Sequence, residues 1–393
     1  MKSRAPKPKI QLSPQANTLP TEVVDIARQH AAIVDAEGRF PQETFAALKS
    51  RGLLGALVPL ALDGPGLSLA QVAAQCQTLA GACGSSAMIL AMHHIQVACL
   101  ARHSAANGWH ADFLRRVQDE QLLLASVTSE EGIGGGMRTS ICAIEREGDR
   151  FSLTKSGTAV SYGASADALL VTSRAHEGAP QGDQVMTVID MPGLTLERKS
   201  TWDAMGMRGT GTEAFLVTGT GATAQTLPAP FAEIAAATMV PVSHILWAAV
   251  WTGIAGDAVS RARAFLRAKR KPGDTDLPHG AIVLAQAVEH LQMAEARLKV
   301  ALDRFDWTSV VAPNFSEAAY DNGLKTMVSD TCLHVAREAM AVCGFSGYAR
   351  TGDFSVSRHV RDLTSAPLMI GNPRMREGSA RLLLAQRPQL GLD

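Results

Sequence analysis

At 393 residues the chain is longer than one hydrophobic core usually supports, so two or three packed units are expected. Lys plus Arg and Asp plus Glu each total 37, and a formal net charge of zero leaves no basic surplus for nucleic acid or an anionic lipid surface. The six cysteines are scattered without a Cys-x-x-Cys pair, which argues against a zinc site or a disulfide framework and suits reduced core thiols in a cytoplasmic enzyme.

In chain order, "MKSRAPKPKIQLSPQ" is basic and Pro-rich without an apolar run, and residues 1–19 read as a disordered tail with no signal peptide. Residues 20–120 read as helical. Thr21 is the expected cap of a first helix whose apolar stripe is Val23, Ile26, Ala27, Ile33 and Val34. A second helix opens at Pro41 and closes at Gly52. Beyond the Pro/Gly loop "VPLALDGPGLS", residues 69–100 are nearly chargeless and broken by "GACGSS", the pattern of two buried helices with Ser85 or Ser86 capping the second.

Residues 121–230 change character to alternating β-branched and polar residues with frequent glycines, as in "LLLASVT", "DRFSLTKSG", "ADALLVTSRA" and "EAFLVTG", and read as a small antiparallel β domain. Inside it, "TWDAMGMRGTGTEAFLV" places three glycines around an arginine like a phosphate loop. A phosphate loop must be left by a helix, whose first N–H groups face the anion. Here β-formers follow, so the spacing predicts a glycine turn between strands.

Residues 231–393 return to helices: 234–267, then 279–307 with Val288, Leu291, Leu298, Leu302 and Phe305 on one side, then 316–342 ended by Gly344, then 373–386 with Asn372 as N-cap. The uncharged run between Glu233 and Asp257 is long enough to cross a bilayer. Pro241, Ser243, His244, Thr252 and Gly253 interrupt it, and a helix buried on all sides of a bundle explains the same composition, so no membrane span is expected.

Helices, a β domain and a helical bundle, together with three motifs, resemble the acyl-CoA dehydrogenase family from end to end. "FPQETFAALKSRGLLGALVPLALDGPGLSL" is similar to its N-terminal helix-loop pattern, "WDAMGMRGTGT" to its Met-Gly-x-Arg-Gly signature, and "CGFSGYARTGDFSVSRHVRDL" to its Gly-Gly-x-Gly-Tyr to Arg-Asp stretch. The resemblance implies an α+β multidomain fold: an N-terminal helical domain, a middle antiparallel, barrel-like β domain and a C-terminal four-helix bundle. It also implies FAD bound at subunit interfaces of a homotetramer or homodimer, an acyl thioester carried by CoA or a carrier protein as substrate, and an electron-transfer flavoprotein or oxygen as acceptor.

Residue by residue, "ASVTSEEGIGGGM" matches the family's flavin-facing stretch and implies Val127 and Thr128 beside the ring; "TAVSYGASAD" implies Ser161 near flavin N5, with Ala159 where the family usually stacks a tryptophan. Arg267 or Arg270 and Gln286 are the nearest fits to the residues that meet the pyrophosphate of a neighbouring subunit, and Gly344 and Gly347 fit a close approach to the cofactor. The acyl pocket implied is lined by Ser86, Leu90, His93, His94, Ile370 and Gly371.

Desaturation of a thioester needs a base for the α-proton. The family's Glu-Gly-Thr is replaced here by Ile370-Gly371-Asn372, and isoleucine cannot take a proton. Glu377 superficially restores a Glu-Gly pair, but seven residues along a helix put it roughly 10 Å away. His244 stands where some members carry the base on the helix after the β domain. His94, beside His93, resembles a His-bearing segment of the dibenzothiophene-type flavin monooxygenases, which opens an alternative reading as a two-component monooxygenase using FMN. A non-catalytic flavin-binding protein is the third reading.

Overall fold

The computed structural model describes residues 19–271, 273 and 275–385; all but the last residue of the expected N-terminal tail lies outside the described residues. The N-terminal region comprises α1 (Thr21–Glu37), α2 (Gln42–Ser50), α3 (Leu69–Ala80), α4 (Gly84–His103) and α5 (Trp109–Glu120). The middle region holds β1 (Leu124–Val127), β2 (Glu145–Glu147), β3 (Arg150–Val160), β4 (Ala168–Arg174), β5 (Gln184–Asp190), β6 (Leu194–Arg198) and β7 (Glu213–Ala222). Then come α6 (Phe231–Ile234), α7 (Val240–Lys269), α8 (Ala281–Arg304), α9 (Phe315–Cys343), α10 (Phe345–Tyr348), α11 (Ser357–Thr364) and α12 (Asn372–Ala385).

The β strands form two sheets, of order β1-β4-β5 and β2-β3-β7-β6. Pairing is antiparallel except between β1 and β4, which run parallel because β2 and β3 intervene in the chain and belong to the other sheet. β4 is buried at six successive positions, Ala168 to Ser173, of which the first four are apolar, whereas β3 alternates, with Phe151, Leu153, Lys155 and Gly157 turned inward. Lys155 is the exception among these inward residues. Its ammonium donates to Thr172 O at 2.7 Å and Thr172 Oγ1 at 3.0 Å and lies 3.5 Å from the buried Glu130 carboxylate. Glu130 also accepts from Ser140 Oγ, Ile141 N and Cys142 N, so one buried ion pair ties the loop after β1 to the sheet. Lys155→Met should cost about 3 kcal/mol of stability, because it strands a desolvated carboxylate; in denaturant unfolding the Glu130→Gln/Lys155→Met double variant should lose less than the two single losses added.

Three expected caps fall elsewhere. Pro20 takes the N-cap place of α1 and Thr21 is already helical. Ser85 and Ser86 lie inside the first turn of α4 behind Cys83, and Ser85 Oγ accepts from Gly209 N at 3.2 Å in the β domain. Asn372 is the first residue of α12, and its side chain turns to α9 instead. Ser68 and Gln71 form a full capping box on α3.

α7, α8, α9 and α12 pack as the C-terminal bundle. The run from α6 through α7 has the length and hydropathy of a membrane span, but 83% of its most apolar window is buried inside the protein. It passes through a π-helical turn at Ala235–Met239, just before Pro241. Pro241 has no N–H for Ala237 O, and Arg102 Nη1 from α4 donates to that carbonyl at 3.1 Å instead.

Candidate functional site

The β domain meets the helices at the glycine turn. A Cβ on Gly206 would stand 2.1 Å from Arg361 O, and one on Gly209 2.4 Å from Val34 Cγ1, so these glycines admit α11 and α1 rather than an anion. Met207 N donates to Asp362 Oδ1 at 2.6 Å. Arg361 pairs with Asp35 and donates to Met205 O at 2.8 Å, while Arg208 donates to Asp35 O at 2.7 Å. The Arg-Asp motif is therefore a clamp on the turn. Burial pushes the Asp362 carboxyl up to about 6.

On the strand side of this turn runs a row of hydroxyls. Ser161 Oγ shares a hydrogen bond with Thr212 Oγ1 at 2.9 Å, Thr212 shares one with Thr210 at 2.9 Å, and Thr210 Oγ1 donates to Met207 O at 2.8 Å. Tyr162, in left-handed backbone at φ 44°, turns the chain out of β3; its hydroxyl donates to Leu124 O and its N–H to Thr210 O. Ser129 Oγ accepts from Ala159 N at 2.9 Å and donates to Ala159 O, joining the exit of β1 to the end of β3. Val127 is buried, with the absent Cβ of Gly157 only 2.9 Å from its Cγ1; Thr128 is half-buried beside it. Ala159 is exposed at the end of β3, and the hydroxyl-bearing Thr128 after β1 and Ser161 after β3 are half-buried. An aromatic heterocycle with acceptor nitrogens fits that donor set.

On the helical side, Ser86, Leu90, His93 and His94 are all buried in α4. Leu124 N donates to His93 Nδ1 at 3.0 Å, so the proton sits on Nε2, which donates to Leu54 O at 2.7 Å. His93 is thus a neutral staple between α4, β1 and the loop after α2. His94 has no partner on either nitrogen, and burial holds its pKa well below the usual histidine range.

His244, Trp247 and Trp251 occupy one face of α7, with ring centroids 6.3 Å apart at each step. His244 Nδ1 donates to Asp321 O at 3.0 Å, which leaves Nε2 as the unprotonated nitrogen; burial lowers its pKa to about 4. Among the described residues His244 Nε2 and the indole nitrogens of Trp247 and Trp251 are buried without a hydrogen-bond partner. Such orphaned atoms mark where a ligand or solvent belongs. A cleft of about 230 Å³, lined by Pro241, Ile245, Arg304, Phe305, Tyr320 and Asp321, lies next to the start of α7, while the three unpartnered atoms are buried and do not line it. Behind Trp251, the buried Lys325 donates to Asn372 Oδ1 at 2.6 Å, and Asn372 Nδ2 donates to Ser329 Oγ and Asp330 Oδ1. Burial lowers the Lys325 pKa to about 8. This network fixes the turn at Ile370 and Gly371, both at φ 57°.

Other sequence candidates lie apart from this face. Glu377 is exposed on α12 and paired with Arg381. Arg267, Arg270 and Gln286 are exposed on α7, at its end and on α8. Gly344 ends α9 at φ 58° with open space around it, while the missing Cβ of Gly347 would fall 2.6 Å from Cys343 Cβ, so the fold itself requires glycine there. Thr210, Thr212, Lys325 and Asn372 were not singled out by sequence as site residues.

The fully buried histidines give a pH dependence. His93 and His244 both fall to about 4 in the folded chain against the ordinary 6.5, so the unfolded chain binds more protons between those values. Their contribution is present above about 6.5 and lost as pH falls toward 4, at most roughly 3 kcal/mol each. Asp321 and Asp362, raised to about 6, act in the opposite sense over about 3.8 to 6. With His94 and His103 also depressed, the histidines outweigh them. Urea unfolding should show lower stability at pH 5 than at pH 7.5; equal stabilities would contradict these assignments.

A helical region, a two-sheet β unit and a helical bundle locked by an Arg-Asp clamp define the acyl-CoA dehydrogenase fold. Residues 20–116 match the family model "Acyl-CoA dehydrogenase, N-terminal domain", the family that the motifs of the chain resemble. It is 25% identical over 376 residues to cyclohex-1-ene-1-carbonyl-CoA dehydrogenase of Geobacter metallireducens, covering 89% of this chain and 92% of that enzyme. Among solved structures, butyryl-CoA dehydrogenase of Megasphaera elsdenii superposes with a TM-score of 0.79 at 18% identity, covering 95% of this chain and 99% of that one. FMN-bound TdsC of Paenibacillus sp. A11-2 superposes with a TM-score of 0.80 at 19% identity, covering 94% and 98%. At these identities the structural likenesses carry the fold and do not separate the two chemistries.

Proposed function

We propose that the protein is a flavin-dependent oxidoreductase that removes one hydrogen from each of the α and β carbons of an acyl thioester, with His244 taking the α-proton. The observation that carries this reading is the face of α7 on which a neutral imidazole nitrogen and two indole N–H groups are buried without partners. An acceptor and two donors on one face match the needs of α-proton removal: Nε2 of His244 accepts the proton, and an indole N–H stabilises charge growing on the thioester oxygen. The bond from Nδ1 to Asp321 O keeps the proton off Nε2 in the resting state.

FAD, when bound, supplies the two-electron acceptor for this chemistry. Thr128 and Ser161 would hold its ring, with Val127 nearby and the Thr212 and Thr210 hydroxyls orienting Ser161. Arg267, Arg270 and Gln286 are exposed where a second copy's cofactor would reach them. The exposed Ile282, Met293 and Val300 on α8 favour a homotetramer or homodimer. Six buried free cysteines suit a cytoplasmic setting, and an electron-transfer flavoprotein or oxygen would accept the electrons.

A second reading, as an FMN-using monooxygenase, is favoured by one observation: the unpartnered, buried His94. His93 cannot join it, since both its nitrogens are committed. Two assays separate the readings: anaerobic turnover of the thioester with an artificial electron acceptor, and turnover with supplied reduced flavin and oxygen. A product lighter than the thioester by two hydrogens supports the dehydrogenase, and a product heavier by one oxygen supports the alternative.

A further inference from the structure

Away from this site, α8 and α9 bring together the one group of three or more His, Cys, Asp or Glu side chains among the described residues whose donor atoms converge for a cation. We propose that His290, His334 and Glu338 form a site for a late first-row divalent metal, zinc above all, that clasps α8 to α9.

His334 and Glu338 are one helical turn apart on α9 and share a face; His290 reaches them from α8. His290 Nδ1 is 3.0 Å from Glu338 Oε2, and His334 Nε2 is 3.3 Å from Glu338 Oε1. All three donor atoms lie within 4.8 Å of one another, and the two imidazole centroids are 5.0 Å apart. A tetrahedral ion with ligands at about 2.0–2.2 Å needs its ligands roughly 3.3–3.5 Å apart. The His334 to Glu338 separation already meets that, His290 lies 3.0 Å from the other carboxylate oxygen, and small side-chain rotations of the half-buried His290 and of His334, whose side chain is 57% exposed, would bring the set to it.

Two imidazoles with one carboxylate are a borderline nitrogen and oxygen set, which selects zinc, cobalt or nickel over magnesium or calcium. The carboxylate is mostly buried while both histidines open to solvent, so an ion has a route in and keeps a water on its outer side. Without an ion the same atoms make only two imidazole-to-carboxylate contacts. The two arrangements therefore differ in a property that can be measured directly.

The test uses tag-free, full-length protein stripped with a chelator and titrated with Co²⁺ alone. The expected result is one equivalent bound per chain, with visible bands of low-coordinate cobalt at longer wavelength than flavin absorbs, displaced by one equivalent of Zn²⁺. Zn²⁺ should also raise the thermal midpoint. His334→Ala, an exposed substitution that leaves the core intact, should weaken binding by about 100-fold or more, as should Glu338→Gln. His279→Ala, on the loop before α8, should change nothing. Absence of saturable cobalt binding, or binding that survives both the His334 and the Glu338 substitutions, would overturn the proposal.

Discussion

His244→Ala is expected to slow reduction of the bound cofactor by an acyl thioester by on the order of 100-fold or more, with flavin content unchanged. The effect is large because Ile370, Ser243 and Lys325 cannot substitute. Ile370 stands where the family's glutamate falls, Ser243 Oγ is occupied by Met239 O, and the ammonium of Lys325 is a donor. A neutral base must also stay neutral, and burial with the Nδ1 to Asp321 bond keeps the imidazole so through the physiological range. Glu377→Ala, on the exposed face of α12, is expected to react at the wild-type rate. Ile370→Glu in the His244→Ala background should recover part of the loss by returning a carboxylate to the family's position. Stopped-flow absorbance measures all four proteins; a His244→Ala rate within a factor of a few of wild type would remove His244 as the base.

Gly206→Ala should be the most damaging small substitution in the β domain. Its added methyl meets Arg361 O at 2.1 Å, Arg361 C at 2.3 Å and Asp362 N at 2.7 Å, all backbone atoms that cannot rotate away. Relief requires the turn to part from α11, which breaks the Met207 to Asp362 bond and leaves a buried carboxyl unpaired. A loss of roughly 3 kcal/mol or more is expected in denaturant unfolding. Gly211→Ala is the control, since Gly211 has φ 50° but open space around it and should lose only about 1 kcal/mol. Equal losses at the two positions would show that backbone conformation, not the approach of α11, is what glycine serves here.

Much of this architecture was legible in the residues. The long apolar helices announced themselves by 3.6-residue periodicity, and the β domain by its alternation. The rejection of a phosphate loop rested on the strand that follows Gly211, which is β7. Local capping was misread at Thr21, Ser85 and Asn372 because a polar side chain at a helix start has two outlets, its own helix or a neighbour across the fold. For Ser85 and Asn372 the neighbour won, at Gly209 N and at Lys325, and no sequence signal within a helical turn distinguishes the two.

The site was legible in part for the same reason. His93 and His94 are adjacent in sequence and alike in burial, yet one is held by two backbone groups and the other by none. That difference is made by Leu54 and Leu124, far away in the chain. The Thr210 and Thr212 hydroxyls could have been found, since "GTGT" carries both into the turn that the glycines shape. The alignment of His244, Trp247 and Trp251 could also have been found from their spacing on one helix face. Their lack of partners could not, because it depends on what α9 and α12 fail to offer them.

The account stands most directly on anaerobic mixing of the purified, flavin-loaded protein with acyl thioesters of varied chain, without added reductant, while the oxidised flavin absorbance is followed. It predicts that at least one thioester abolishes that absorbance in a single turnover. If every thioester leaves the flavin oxidised, while reduced flavin and oxygen convert an added substrate, the dehydrogenase reading is contradicted.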